Sequence, residues 1–227
     1  MISVICGIRN RTENLMKSIP SWLEADGVEE IIITDWNSSE PVQYNHEKVH
    51  IVRVKNVNYW SLTQAFNIAA RFANGDIYAK LDADYRILNP SLFSDIGLEP
   101  GIFINGEDKL GPLNGFFYLY ADDFWKVCGF DERMHGYGWD DTDLVKRLKR
   151  KGGLKLKSFD CEGNIEHIPH GDEVRGDIAM HTVNAKMAHE NPWNASMPQI
   201  GVTNVVREWP NVTTCTIYPS IDFLYGV

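Results

Sequence analysis

Between Ile2 and residue 81, short apolar runs alternate with segments of helical period, and few folds accommodate that rhythm. Ile2–Ile8 reads as a buried strand. From about Thr12, the residues Leu15, Ile19, Trp22 and Leu23 fall on one helical face. Pro20 is expected to end or kink that helix. Strands follow over residues 30–34 and 49–54. Leu62, Phe66, Ala69 and Ala73 then return to helical spacing, and Asn74-Gly75 is expected to close the helix with a left-handed cap. Residues 77–81 form the next strand. Strand and helix in alternation predict an α/β fold: a mostly parallel central sheet with helices on both faces. In such sheets ligands bind at the carboxyl ends of the strands.

After Asn89-Pro90 the rhythm changes. Strands are expected over 102–105 and 116–120, and a short helix over 121–127. A loop rich in Gly and aromatics occupies 128–139. A helix runs from Asp140 to about Lys151 and is closed by Gly152-Gly153, with Leu144, Val145 and Leu148 as its apolar face. Its basic run, Lys146, Arg147, Lys149, Arg150 and Lys151, reads as a solvated face that suits the helix dipole. A strand over 154–159, a helix over 173–190 and short strands or extended tail over 202–206 and 213–218 complete the chain. There is no internal repeat or low-complexity linker. The 227 residues, 44% of them hydrophobic, suffice for one core. The expected organisation is a single domain, 1–227, in three parts: 1–100, 101–175, and a C-terminal helix and tail (176–227).

Net charge is −9, without the basic footprint of a nucleic-acid binder, so nucleic acid is not an expected partner. No apolar run has the length of a transmembrane segment. The N-terminus lacks a basic leader with a cleavage site. Four cysteines without C-x-x-C spacing read as reduced thiols, and the expected location is cytoplasmic. No G-x-G-x-x-G follows the first strand and no P-loop occurs, so a phosphorylated ligand would need another cradle.

Three stretches carry chemistry. The strand 77–81 ends in Asp82-Ala83-Asp84, two carboxylates that either cap a turn or hold a cation. In Gly136-Tyr137-Gly138-Trp139-Asp140-Asp141-Thr142-Asp143 the acids can simply match the helix dipole. Asp141, however, lies near the stripe of Leu144 and Val145, beside a Gly-aromatic loop, where a carboxylate can take a proton from a bound hydroxyl. In Glu166-His167-Ile168-Pro169-His170, two histidines three apart are either a surface pair or ligands of one ion. A divalent ion shared by Asp84 and His170 suits manganese, which accepts carboxylate and imidazole; magnesium favours the acid over the imidazole.

In this order the motifs resemble those of the inverting GT-A glycosyltransferases of family 2 and the related β-1,4-galactosyltransferase group, over roughly residues 3–172. Arg9-Asn10-Arg11 is similar to the nucleotide-binding Arg-Asn-Arg after the first strand. Asp35 is similar to the acid that holds the uracil, and Asp82-Ala83-Asp84 to the metal and diphosphate motif. Gly138-Trp139-Asp140-Asp141 is similar to the Trp-Gly-Gly-Glu-Asp segment, although Trp139 stands where that group has Gly. The resemblance implies a GT-A, Rossmann-like fold with a small antiparallel element. It implies donor contacts from Arg9, Asn10, Arg11, Asp35, Asp82 and Asp84, and acceptor contacts from Trp139, Asp140 and Tyr137. Asp141 takes the place of the catalytic base, and Asp84, His170 and His167 the place of the metal ligands. The implied reaction moves a sugar from a UDP-sugar to a hydroxyl of a glycan or other acceptor. A sugar nucleotidyltransferase would show a Gly-rich basic signature near the first strand, which Arg9-Asn10-Arg11 lacks. A non-catalytic nucleotide-sugar-binding module is the other alternative.

Overall fold

The computed structural model describes residues 1–106, 113–134, 136, 138–159, 161–170, 180–191, 201–208 and 211–218. The first part alternates as its apolar periods require: β1 (Ile2–Ile8), α1 (Thr12–Leu23), β2 (Val28–Trp36), β3 (Val49–Val54), α2 (Leu62–Phe72) and β4 (Ile77–Lys80). Next come β5 (Tyr85–Ile87), α3 (Leu92–Ile96), β6 (Ile102–Asn105), β7 (Phe117–Tyr120), α4 (Ala121–Lys126), α5 (Asp140–Arg150), β8 (Lys155–Ser158) and β9 (Ile165–His167). The last elements are α6 (His181–Glu190), β10 (Gly201–Glu208) and β11 (Val212–Tyr218).

Nine strands form one sheet in the order β10-β11-β3-β2-β1-β4-β7-β6-β8, with β7 and β10 antiparallel to the rest. Strand β1 is central and pairs in parallel with β2 on one side and β4 on the other. Both of its faces are buried, as its unbroken apolar run requires. Val4 and Cys6 pack with Leu15, Ile19 and Trp22 of α1, and Ile5 packs with Ala65, Phe66 and Ala69 of α2. Burial of a large aromatic such as Trp22 or Phe66 is worth about 1.5–3 kcal/mol against exposure. The chain winds outward from β1 through β2 to β3, then crosses to β4 on the opposite side of β1. That reversal leaves a crevice at the carboxyl ends of β1 and β4. A separate two-stranded sheet, β5 with β9 antiparallel, pairs Tyr85 with His167 and closes one end of the crevice.

Several expectations are corrected. Helix α1 runs through Pro20 to Leu23. The proline forgoes its N–H bond to the Met16 carbonyl, and Trp22 anchors that last turn by burial and by donating from Nε1 to the Tyr85 carbonyl at 2.7 Å. Helix α2 ends at Ala73 in extended backbone, with no left-handed cap at Asn74-Gly75. Asn74 donates instead to Glu30, and the Gly75 amide to Ser3 Oγ at 2.8 Å. Arg147 is not solvated: it is fully buried, with Nε 2.8 Å from Asp143 Oδ2. The short strands expected over 202–206 and 213–218 are present as β10 and β11, and β11 joins the main sheet by pairing in parallel with β3. Residues 173–179 of the expected helix 173–190 lie outside the described residues. No disulfide joins the four cysteines. Among the described residues no helix is long and apolar enough to cross a membrane.

Candidate active site

A cleft of about 700 Å³ opens at the carboxyl ends of β1 and β4. Its walls are the loop after β1, the turn after β4, the β5–β9 sheet and the N-terminus of α5. It gathers Arg9, Asn10, Arg11, Asp82, Asp84, Trp139, Asp140, Asp141, His167 and His170.

The acidic pair after β4 divides its carboxylates. Asp84 is almost wholly buried and faces the β5–β9 end. His170 Nε2 lies 3.1 Å and His167 Nε2 3.8 Å from its Oδ2, with Arg11 Nη1 at 3.3 Å. One ligand atom from each of Asp84, His167 and His170 lies within 4.8 Å of the others. Burial, helped by the Asp82 charge and opposed by His170 and Arg11, pushes the Asp84 carboxyl up to about 6. A carboxylate short of positive charge beside two imidazoles is a donor set suited to a divalent ion. Asp82 turns the other way, with Oδ1 3.0 Å from Lys80 Nζ.

The opposite wall is the first turn of α5. Trp139 precedes it with φ 74°, a left-handed conformation that costs a non-glycine residue about 1–2 kcal/mol. Its indole Nε1 donates to His181 Nε2 at 2.9 Å, which holds the ring against α6. Asp141 is 18% exposed, and its Oδ1 accepts from Lys80 Nζ at 3.1 Å. Burial raises its carboxyl to about 8, with Asp140 and Asp82 adding to the rise and Lys80 opposing it. Burial also raises Asp140, against the pull of Lys80.

Not every predicted residue reaches the cleft. Asp35 is buried, accepts from the amides of Ser38 at 3.1 Å and Val42 at 3.0 Å, and lies 3.6 Å from Arg53 Nε. It therefore fixes the loop after β2. Asn10 does line the cleft, and with φ 56° its side-chain carbonyl accepts from the Ser39 amide, tying the loop after β1 to that same loop. Tyr137 lies outside the described residues. Lys80 and His181 were missed. A lysine inside a strand buried on both faces is itself a signal, since such a charge must be paired. The pairing of His181 with Trp139 crosses 42 residues and has no local signature.

Solved structures share this architecture. Drosophila β1,4-galactosyltransferase 7 in complex with xylobiose superimposes with a TM-score of 0.67 at 16% identity, over 98% of this chain and 95% of that one. The fold is that of the GT-A glycosyltransferases. A mutant of the same Drosophila enzyme, in complex with manganese, UDP-Gal and xylobiose, matches equally well, with TM-score 0.67. GalNAc-T7 with UDP, GalNAc and Mn²⁺ matches at TM-score 0.64 and 17% identity, over 84% of this chain and 47% of that one. A family profile described as the N-terminal domain of galactosyltransferase matches residues 110–171, which carry the GT-A helix α5 and both cleft histidines. No curated protein matches the sequence.

Proposed function

We propose that the protein is a metal-dependent inverting glycosyltransferase that moves a sugar from a UDP-sugar to an acceptor hydroxyl, most naturally of a glycan. The observation that carries this reading is the pairing, across one cleft, of a three-residue metal-type cluster with a partly exposed carboxylate. Asp84, His167 and His170 would hold the ion, for which manganese suits a mixed carboxylate and imidazole set. When bound, it supplies Lewis-acid stabilisation of the charge that develops on a departing diphosphate. Arg9 and Arg11 add cationic groups on the same wall. Trp139 offers a ring face for a sugar, and Asp140 a carboxylate for its hydroxyls. Asp141 accepts the proton as the acceptor oxygen bonds to the anomeric carbon and the bond to the phosphate oxygen breaks. Attack from the face opposite the leaving group inverts that carbon. The likeness to the UDP-Gal, UDP and xylobiose complexes supports a UDP-sugar donor and a glycan acceptor.

The test is a screen of UDP-galactose, UDP-glucose and their N-acetyl forms with manganese and oligosaccharide acceptors, with product stereochemistry read by NMR. Asp141→Asn is expected to cut turnover by about 10²–10⁴-fold and to leave UDP binding nearly intact. Near wild-type turnover in Asp141→Asn would remove the base assignment. Asp84→Ala is expected to abolish the manganese-dependent part of UDP binding measured by calorimetry.

A further inference from the structure

One buried lysine joins the two walls of the cleft. Lys80 ends β4 with its side chain 2% exposed. Its Nζ donates to Asp141 Oδ1 at 3.1 Å and lies 3.0 Å from Asp82 Oδ1. The Phe66 ring centroid lies 4.4 Å from Nζ, and those of Phe117 and Phe130 lie at 5.9 Å. Gly115 closes the other side: a Cβ there would stand 2.5 Å from Asp82 Oδ2 and 3.0 Å from Nζ. The ammonium is thus boxed between aromatic faces and two carboxylates on different elements. Burial lowers its pKa, but the Asp141, Asp82 and Asp140 charges outweigh that and raise it, so Lys80 stays a cation.

We propose that Lys80 is a positioning residue, which fixes the Asp141 carboxylate relative to the donor-side acid Asp82 and favours the charged form that takes the acceptor's proton. The inference rests on the assignment of Asp141 as the base. With Oδ1 committed to Nζ, the proton of the acceptor O–H passes to Oδ2, and the oxygen's electrons form the new glycosidic bond. Lys80 keeps its own proton throughout, since its contact to Asp82 Oδ1 at 3.0 Å does not depend on Asp141. Among the described residues, the other titratable groups around the cluster are Asp140, Tyr85 and Cys6. Burial holds the phenol and the thiol well above their ordinary values, and so neutral, while Asp140 opposes ionisation of Asp141.

The test compares Lys80→Met, whose side chain is of similar length and suits the aromatic box, with Lys80→Arg, which keeps the charge. Carboxyl ¹³C NMR of metal-free protein reads the titration of Asp141 directly. Its midpoint is expected to rise by about 1–3 pH units in Lys80→Met and to move far less in Lys80→Arg. In the manganese-loaded enzyme, kcat of Lys80→Met is expected to fall about tenfold or more at pH 7 and to recover as pH rises, with KM for the UDP-sugar little changed. An unmoved midpoint in Lys80→Met overturns the proposal whatever the protein transfers. A raised midpoint with unchanged turnover also overturns it, through failure of the base assignment beneath it. Should Lys80→Met not fold, the wild-type protein decides. There the ¹⁵Nζ resonance of Lys80 is expected to shift with the Asp141 midpoint, and an Nζ signal indifferent to that titration overturns the proposal.

Discussion

As the proposed base, Asp141 would draw its reactivity from a balance between burial and one cation. Burial holds the proton on and pushes the carboxyl up to about 8, while Lys80 at 3.1 Å favours its release. A base must be ionised before it can accept, so kcat/KM is expected to rise with pH along an acidic limb. The midpoint of that limb should lie no higher than about 8, because a divalent charge in the cleft adds to Lys80 in favouring the carboxylate. A pH–rate profile at saturating manganese checks this, and a flat profile between pH 5 and 8 would contradict it. At this scale the sequence was informative where a residue's neighbours along the chain define its place. Asp82 and Asp84 follow a strand directly, and a strand end in a parallel sheet faces a crevice. Asp35 also follows a run of buried strand residues, yet its carboxylate is consumed by the Ser38 and Val42 amides. No property of Asp35 alone distinguishes an acid that binds its own loop from one that faces a ligand. Lys80 needed partners 2 and 61 residues away to become intelligible.

Helix α5 was legible in its bounds and its apolar stripe, because Leu144, Val145 and Leu148 announce a helical period. Within its basic run Arg147 was misread, because charge was taken as a mark of solvent, while Lys149 and Arg150 are exposed as expected. Asp143 and Arg147 lie one turn apart on one face, and both are fully buried. Arg147 Nη1 also donates to the carbonyls of Val127 at 2.7 Å and Gly129 at 2.5 Å. Asn191, just after α6, donates to Asp143 Oδ1 at 2.8 Å and to Asp131 Oδ2 at 2.7 Å. This polar cluster fixes the start of α5, and hence Trp139 and Asp141, against the loop 127–134 and α6. Removing the arginine leaves Asp143 buried without its cation and two carbonyls without a donor. Arg147→Ala is therefore expected to destabilise the fold by about 3–5 kcal/mol in urea unfolding, several times the loss for the exposed Lys149→Ala. The β5–β9 pair was equally hidden, since three-residue strands carry too short a pattern to read. Yet it is the element that brings His167 and His170 to Asp84.

Over the whole molecule, the alternation of the first hundred residues was enough to specify the sheet and the crevice. The edge formed by β10 and β11 was not, because which strand a C-terminal segment joins depends on contacts some 160 residues away. The crevice has a consequence for stability. Asp84 ionises near its ordinary value of 3.8 in the unfolded chain but at about 6 in the folded one. Between those values the folded state binds more protons, so stability from this group falls as pH rises through the window and stays low above it. Two pH units correspond to roughly 3 kcal/mol. Asp141, raised to about 8, acts in the same direction over a wider window. A divalent ion held by Asp84, His167 and His170 would offset the Asp84 penalty, because it would compete with the proton for that carboxylate. At a concentration of 100 times its Kd, an ion stabilises the fold by about 2.7 kcal/mol, and Kd itself rises as pH falls. Manganese is therefore expected to raise the melting temperature more at pH 7.5 than at pH 5, with the difference largely gone in Asp84→Asn. Scanning calorimetry at both pH values, with manganese and with a chelator, decides it: equal shifts at the two pH values would mean that Asp84 and the two histidines do not hold the ion.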